Sequence, residues 1–369
     1  MNKLFHLSTA VRGLVVGAIA VMAMSACSMM HDDRDYCPDG LYVRFVYDYN
    51  LQRADMFKDH VGSLTLFVFD ENGYFVKQQE VTNSDTNTPL KQYGYTMHVD
   101  GLAPGRYQMI TLANQNNAAT SGNTKYQWAD LQKGDSMSVL KTILNRSTEV
   151  DSDGYYLVDN SAPMDTLWHG MDATTVEVRA GVPTYDTISL VRDTKNLNLT
   201  LRQLKDPNLC AIQDYDIYIT DANGMLLYDN TVADDGKLKY KPYAQWNSYY
   251  STDGTVSDIV PPIEGDIQQE VAHANIAFNR LMYRNSNDNP AMLYVRNNKT
   301  DVMVLKANLS NYLAEGRNAY DYFHYSPQEY LDRAYDYNLE LVLVGDTWEY
   351  VEISIAILSW TVRIQNENL

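Results

Sequence analysis

The feature that most constrains this chain is an uncharged apolar run near its N-terminus, residues 13–24. Lys3 and Arg12 precede the run, and small residues follow it. A membrane-spanning helix needs about 20 apolar residues, so this run is too short to cross a bilayer. A basic start, a short apolar core and small residues before a cleavage point are typical of a secretory signal. We therefore predict that residues 1–26 are a signal and that the rest of the chain folds outside the cytoplasm.

Cys27 stands directly after the small residues that end the predicted signal. This arrangement resembles a bacterial lipobox, in which the thiol accepts a lipid and the cysteine becomes the mature N-terminus. The alternative is an ordinary signal with a chance cysteine. Residues 27–37 read as an acidic, solvated tether. Acidic residues soon after a lipidated cysteine also resemble the surface-export signals of Bacteroidetes lipoproteins. We expect a lipid on Cys27 and a position at the outer-membrane surface, since several acyl chains anchor a protein stably.

Charge and aromatic content limit the classes of partner. The formal net charge is −18 at pH 7, and cleavage of the signal would remove Lys3 and Arg12 and make it more negative. Nucleic acid would repel such a chain, so we expect no nucleic-acid partner. The chain has 29 tyrosines and 8 phenylalanines. Tyrosine covers apolar surface while its hydroxyl stays in water, which suits two-faced sheets and contact surfaces.

Two cysteines remain if Cys27 carries lipid, namely Cys37 and Cys210. An oxidising compartment allows a disulfide between them. The sequence does not establish that they lie within bonding distance. The alternative is that both are small buried apolar residues.

Alternating apolar patterns bounded by turn residues predict a mainly β protein. Residues 61–69 and 74–76 flank Asp70-Glu71-Asn72-Gly73, and Asn-Gly favours a tight hairpin turn. A similar strand, an Asp-x-Asn-Gly turn at 221–224 and a second strand recur 151 residues later. Coincidence is the alternative to a repeat. With a linker at 181–183, we predict two β-sandwich domains, 38–183 and 184–369, after the tether.

A few short helices are expected among the strands. Residues 54–57 and 128–132 are predicted as helical turns, and 269–283 as a helical or mixed segment. Ser326-Pro327-Gln328-Glu329 is a capping box with proline at the first helical position, so a helix should start there.

The last apolar stretch, residues 350–364, is predicted as one strand. Val351, Ile353, Ile355 and Ile357 share one phase, and Leu358, Trp360, Val362 and Ile364 share the other. Such a change of phase indicates a bulge, a bend or a change of environment. Apolar residues on both faces suit a strand that is buried between neighbours or offered to another subunit. The candidate assembly positions are Glu352, Ile353, Ile355, Ile357, Trp360, Val362 and Ile364.

Catalytic and metal-binding patterns are not expected here. No His-Glu-x-x-His, Gly-x-Ser-x-Gly, P-loop or dinucleotide fingerprint occurs in the sequence. The turn at 221–224 begins like a calcium loop, but Met225 occupies the next ligand position. We therefore predict no enzyme activity, no cofactor and no metal site.

Several motifs along the chain resemble a known family when they are taken in order. They are the lipobox, Cys37-Pro38-x-Gly40-Leu41 with Val43, Phe45 and Tyr47, Ala54-Asp55-x-Phe57, the hairpin at 68–73, Leu102-x-Pro104-Gly105-x-Tyr107 with Ala113-Asn114, Lys239 to Tyr243, Arg280-Leu281, Tyr330-Leu331-Asp332 and Trp360-x-Val362-Arg363. They resemble the anchor-type fimbrial subunits of Bacteroidales type V pili. One departure is Ile357-Leu358-Ser359-Trp360, where the family pattern has Ile-Asn-Gly-Trp. The missing Asn-Gly disfavours a tight turn at this place.

The resemblance implies two transthyretin-like β-sandwich domains in a secreted lipoprotein. Subunits of this kind join by strand exchange, in which a strand of one subunit fills a groove in the next. An anchor keeps its N-terminal lipid and ends the polymer at the membrane. The resemblance therefore implies one defined residue role, lipid attachment at Cys27. The implied partners are a fimbrial stalk subunit (pilin) and the outer membrane. We place the intersubunit contact on the strand from Glu352 to Ile364.

A surface lipoprotein that binds carbohydrate or a host ligand is the alternative function. Residues 246–250 and 320–325 are rich in aromatic side chains that could stack on sugars. The alternative for these aromatics is that they fill the seam between the two domains. Three Asp-Ser/Thr-aliphatic patterns, at 135–137, 165–167 and 186–188, also resemble acceptors for O-glycans.

Overall fold

A computed structural model describes residues 39–115, 126–172, 174–206, 210–251, 256–257, 267–284, 288–355 and 358–365. Strands dominate this part of the chain, which confirms the mainly β prediction. The transthyretin-like assignment remains an implication of the resemblance. No helix among the described residues is long and apolar enough to span a bilayer.

The strands are numbered in chain order and fall into a first half (39–192) and a second half (195–365). Those of the first half are β1 (Leu41–Val46), β2 (Ser63–Asp70), β3 (Phe75–Thr82), β4 (Thr96–Val99), β5 (Gly105–Asn114), β6 (Tyr126–Trp128), β7 (Lys141–Leu144), β8 (Tyr156–Leu157), β9 (Leu167–Met171), β10 (Val176–Val178) and β11 (Thr184–Arg192). Those of the second half are β12 (Lys195–Gln203), β13 (Tyr215–Asp221), β14 (Met225–Leu227), β15 (Val232–Ala233), β16 (Leu238–Tyr240), β17 (Ala244–Ser251), β18 (Val256–Ser257), β19 (Ile267–Phe278), β20 (Met292–Asn297), β21 (Val302–Asn308), β22 (Asp336–Val344), β23 (Thr347–Ile355) and β24 (Leu358–Gln365). The helices are α1 (Phe57–His60), α2 (Leu309–Glu315), α3 (Ala319–His324) and α4 (Pro327–Arg333).

These strands form four sheets. The first has the order β3-β2-β5-β9-β11-β1-β4, with β10 added beside β5. The second has the order β18-β17-β19-β12-β22-β23-β24, and a five-stranded sheet, β21-β20-β13-β16-β8, lies against it. A small sheet, β15-β14-β7-β6, mixes strands from both halves. In each half the opening strand runs parallel to a late one, β1 to β11 and β12 to β22.

The two edges of the first sheet meet and are joined by side chains. Lys77 on β3 donates to the carbonyl of Asp100 at 2.9 Å, and Gln79 on β3 donates to the carbonyl of His98 on β4 at 3.1 Å. Polar side chains thus cover backbone groups that an open edge would leave unpaired. Inside this curled sheet lies one apolar core, which includes Leu41, Phe45 and Leu66.

The hairpin predicted from Asn-Gly is confirmed. Antiparallel β2 and β3 are joined through Gly73, whose φ is +77°, a value that glycine adopts without strain. The Asp70 carboxylate accepts hydrogen bonds from the amides of Asn72 and Tyr74, each at 2.9 Å. Local chemistry therefore accounts for this turn, and the amide of Met137 adds a longer-range bond to the carbonyl of Gly73 at 2.7 Å.

The second Asp-x-Asn-Gly turn does not make a hairpin, so this prediction was wrong. β13 pairs with β16 and β20, whereas β14 pairs with β7 and β15. Asn223 is buried, and its side chain donates to the carbonyls of Asn279 and Arg280 at 3.1 and 3.0 Å. These long-range bonds direct the chain into a different sheet, and they override the local preference.

The chain passes between the two halves at Asp193 and Thr194 rather than at the predicted linker, 181–183. β11 follows that predicted linker but belongs to the first sheet, beside β1. Both crossing residues are fully buried, and the hydroxyl of Thr194 donates to the carbonyl of Asp165 at 3.1 Å. The crossing is therefore held within the structure instead of running exposed. The division into two domains remains a prediction, since β7 and β8 pair with strands of the second half.

The helix predictions have mixed outcomes. α4 begins after Ser326, whose hydroxyl accepts from the amide of Glu329 at 3.1 Å, which confirms the predicted helix start with Ser326 as its N-cap. α1 starts at Phe57, the last residue of the predicted turn. The prediction at 128–132 was wrong, because Trp128 ends β6 and no helix follows there. Residues 267–278 form strand β19, in which small alanines pack into the second core.

Gly170 on β9 leaves no room for a side chain, so we predict that Gly170→Ala destabilises the fold. An added Cβ would lie 2.6 Å from Cγ2 of Ile188 and 2.7 Å from Cδ2 of Leu190, both of which are fully buried. Overpacking of this kind costs about 1–3 kcal/mol. Urea unfolding measures the loss.

The matched control is Gly105→Ala, whose Cβ would make only ordinary contacts with Tyr107 at 3.7 Å. Equal unfolding midpoints for the two variants would contradict the packing argument.

Candidate functional site

The candidate assembly site is the outer edge of β24, the last strand of the seven-stranded sheet. β24 has eight residues and pairs with β23 on one side. No strand among those described pairs with its other side. A long edge of this kind presents a row of unpaired backbone donors and acceptors, which can pair with another chain.

The C-terminal stretch is two strands, so the prediction of a single strand over 350–364 was wrong. β23 ends at Ile355, β24 begins at Leu358, and these two residues lie opposite each other in an antiparallel pair. The chain therefore reverses there although Asn-Gly is missing. Ile357, one of the predicted assembly positions, lies outside the described residues.

This reversal explains the change of phase in the apolar pattern. Val351 lies opposite Ile364, and Ile353 lies opposite Val362. Directly opposed residues occupy the same face of a sheet. The apolar positions of both strands, with Trp360 two residues before Val362, therefore share one face instead of two.

The opposite face of the hairpin is polar. Glu352 lies opposite Arg363, and Ser354 lies opposite Thr361. Glu352 therefore occupies a different face from the other predicted assembly positions. The register therefore places the apolar and the polar positions of the two strands on opposite sides of the sheet.

The apolar face of the hairpin continues the core-facing side of the sheet. Ile353 is paired with Leu339 of β22, and Val351 with Leu341, and both leucines are buried in the second core. β21, the terminal strand of the five-stranded sheet, lies against β23. β24 is the next strand outward. A strand added beside β21 would therefore lie over the apolar face of β24.

Cys27 and Cys37 lie outside the described residues, so the structure tests neither the lipid site nor the disulfide predicted for Cys37. Cys210 is buried, and its thiol donates to the carbonyl of Leu201 at 3.3 Å. Burial raises the pKa of the Cys210 thiol to about 11. A bridge between Cys37 and Cys210 remains a prediction.

The two aromatic clusters have separate contacts. Trp246 stacks on His273 within the seven-stranded sheet, with ring centroids 4.9 Å apart. Tyr320 on α3 stacks on His324 at 3.8 Å, and the guanidinium of Arg53 lies 3.8 Å from the centre of the Tyr320 ring. Arg53 belongs to the first half, so the α3 cluster contributes to the seam between the halves. Its Phe323 is 80% exposed.

A buried charge network at the junction was missed by sequence reasoning. Arg280 donates to both carboxylate oxygens of Asp332, at 3.0 and 2.8 Å. Lys195 is fully buried and donates to the carbonyls of Asp332 and Ala334 at 2.9 and 2.8 Å. Burial lowers the pKa of Lys195, while burial raises that of Asp193 nearby. The network lies where the chain crosses between the halves.

His169 of β9 links the two halves at the same junction. Its Nε2 lies 2.9 Å from the carbonyl oxygen of Tyr228, so Nε2 carries the proton. Burial lowers the pKa of His169 to about 4. The imidazole is therefore neutral at physiological pH.

The sheets define the class, a mainly β protein with one open sheet edge among the described strands, and comparison with solved structures agrees. The chain is similar to a putative polysaccharide-binding protein of Bacteroides thetaiotaomicron (29% identity, TM-score 0.69, covering 90% of this chain and 100% of that one). It is also similar to a putative adhesin of the same organism (26%, TM-score 0.70, covering 89% and 99%). The fimbrial anchor protein Mfa2 of Porphyromonas gingivalis has the same fold (16%, TM-score 0.57, covering 88% and 99%).

The chain belongs to the family of fimbrillin-A associated anchor proteins Mfa1 and Mfa2, whose model matches residues 34–366. Among curated proteins it resembles the minor fimbrium anchoring subunit Mfa2 of Porphyromonas gingivalis, with 23% identity over 239 residues, covering 63% of this chain and 67% of that protein. The family resemblance drawn from the motifs is thus confirmed. The family is one of fimbrial structural and anchor proteins rather than of enzymes, and it implies an association with fimbriae at the cell surface.

We predict that His169 makes stability depend on pH between about 6.5 and 4. An unfolded chain protonates histidine near pH 6.5, whereas the folded chain does so only near pH 4. Stability is therefore fully present above pH 6.5 and is lost as the pH falls through the folded pKa. The loss amounts to roughly 3 kcal/mol.

The measurement compares the free energy of unfolding of the wild type and His169→Gln across this range. Glutamine can still donate to Tyr228 but does not titrate, so the difference between the two proteins should change with pH. Parallel pH profiles would refute the assignment.

Proposed function

We propose that this chain is a lipid-anchored subunit that holds a fimbria at the outer-membrane surface and joins its neighbour by strand addition beside β21 and β24. Membership of the anchor family supports the fimbrial part of the proposal. The open edge of β24 is the observation that carries the assembly mechanism. The partner is a fimbrial stalk subunit.

Backbone pairing suits this edge for two reasons. An added strand would satisfy the unpaired backbone groups of the edge, and alternate side chains of that strand would provide specificity. On β21, Val302 and Met303 are each 40% exposed. Successive strand residues point to opposite faces, so a partner strand beside β21 would cover one of the two and remove its apolar surface from water.

The position of the tether favours an anchor at the start of β1. Residues 27–38 could span up to about 40 Å when fully extended. β1 leads from this end towards the second half, where Tyr47 packs beside Tyr335 with ring centroids 6.4 Å apart. The open edge therefore belongs to the half that lies farther from the tether.

We expect that a chain ending at Ile355 folds but no longer co-purifies with the neighbouring pilin. The truncation removes β24, while the pairing of β22 with β12 and the second core remain. Affinity purification from cells that express both subunits measures the loss, and circular dichroism checks the fold.

The matched control ends at Gln365 and removes only the residues after β24. Wild-type recovery of the pilin with the chain that ends at Ile355 would contradict assembly at this edge.

We also expect Cys27→Ala to release fimbriae into the culture medium, because it removes the thiol that accepts the lipid. Labelling with a radioactive fatty acid should disappear at the same time. Cys37→Ala is the control and should keep both the label and the attachment. Fimbriae that stay on cells expressing Cys27→Ala would rule out this anchor.

A further inference from the structure

A cleft of about 500 Å³ opens at the junction between the two halves. Sites for small ligands typically measure about 300–1,000 Å³ and often lie between domains. The first half contributes His169, Met171, Ser189 and Val191 to its lining, and the second half contributes Asp229 and Arg280 among others.

The floor of the cleft is the outer face of β9 and β11. His169 lies opposite Val191 in the register of these strands. Met171 follows His169 by two residues on β9, and Ser189 precedes Val191 by two residues on β11. Both therefore occupy the same face as His169 and Val191, because side chains alternate along a strand. Trp168 occupies the other face and is fully buried in the first core. The floor therefore combines an apolar pair, Met171 and Val191, with polar groups.

The wall of the cleft comes from the second half, and its cation is already paired. Arg280 donates to both oxygens of Asp332 and to the carbonyl of Asn230. Asp332 also accepts from Gln328 at 3.1 Å. Arg280 is thus fixed in place and keeps a positive charge inside the cleft.

Hydrogen-bond acceptors remain unused around the cleft. Asn230 is buried, its Nδ2 donates to Asp193, and its Oδ1 has no partner within the described part of the chain. His169 uses Nε2 as a donor, which leaves Nδ1 as an acceptor. The exposed Asp229 carboxylate adds further acceptor capacity. The Asn230 oxygen is enclosed, so the acceptors at the cleft surface are those of His169 and Asp229, and they favour a ligand that donates hydrogen bonds.

We propose that this cleft binds a neutral saccharide of one or two rings. Its hydroxyl groups would donate to His169 and Asp229, and its C–H face would pack on Met171 and Val191. A basic side chain could donate to the same acceptors, so the test below sets a lysine-rich peptide against the sugar. An acidic ligand meets the carboxylates of Asp229 and Asp332 in a chain of net charge −18.

The test uses the mature lipoprotein in detergent on a glycan array that holds neutral and acidic host-type saccharides. A second arm uses surface polysaccharide purified from the cell that makes the protein, which separates the two sources of sugar. Calorimetry with the best neutral sugar then compares three variants. Met171→Trp and Ser189→Trp fill the cleft, and Thr187→Trp is exposed on the same face of β11 but outside the cleft.

The proposal requires that Met171→Trp and Ser189→Trp each raise the Kd by about ten-fold or more, while Thr187→Trp leaves it unchanged. Ser189 is exposed, so its variant keeps the test valid if Met171→Trp fails to fold. The proposal is overturned if no neutral saccharide binds, if acidic glycans or a lysine-rich peptide bind better, or if all three variants behave alike. None of these results would contradict the proposals of assembly at the β24 edge and of lipid attachment at Cys27.

Discussion

Backbone groups at sheet edges need partners, and this need organises the molecule. The first sheet meets it internally, because side chains of β3 reach the carbonyls of His98 and Asp100 at the opposite edge. The seven-stranded sheet does not close in this way, and β24 ends it with an unpaired side among the described strands. The sheet of the first half therefore has its two edges joined, whereas the seven-stranded sheet of the second half keeps an open edge. An unpaired edge beside an apolar face is a liability in a protein that acts alone, and it is useful in a protein that assembles.

Buried charges order the part of the second half that faces the junction. Lys195 on β12 and Asp332 on α4 are far apart in sequence, and burying either charge alone would be costly. Lys195 donates to the backbone carbonyls of Asp332 and Ala334, and Arg280 pairs with the Asp332 carboxylate, so β12 and α4 keep one relative position. The same arrangement creates the cleft between the halves, since Arg280 and Asp332 form part of its wall.

Features with a local cause could be predicted from the sequence. The hairpin turn at Gly73 and the helix start at Ser326 depend on hydrogen bonds between groups only a few residues apart, and both formed as expected. Asp221 to Gly224 has the same local signal, but Asn223 bonds to residues more than 50 positions away, and the chain leaves for another sheet. The chain reversal between β23 and β24 has no turn signal in the sequence. The sequence clue to it was the change of phase in the apolar pattern, which allowed several interpretations. The pairing of Arg280 with Asp332 has no sequence signature, because 52 residues separate the two.

If the proposed anchor carries load, the strand order shows how tension would travel through it. A pull on the tether enters at β1, which lies between β11 and β4 inside the first sheet and pairs with β11 over six residues in parallel. From β11 the chain crosses through buried Asp193 and Thr194 into β12, which pairs in parallel with β22 over eight residues. β22 leads through β23 to the open edge. Each step loads hydrogen bonds along the strands, so that many must break together, instead of opening them one at a time from an end. A chain that must hold a filament against shear gains from this order, and a flexible linker at 181–183 would have placed the joint outside both sheets.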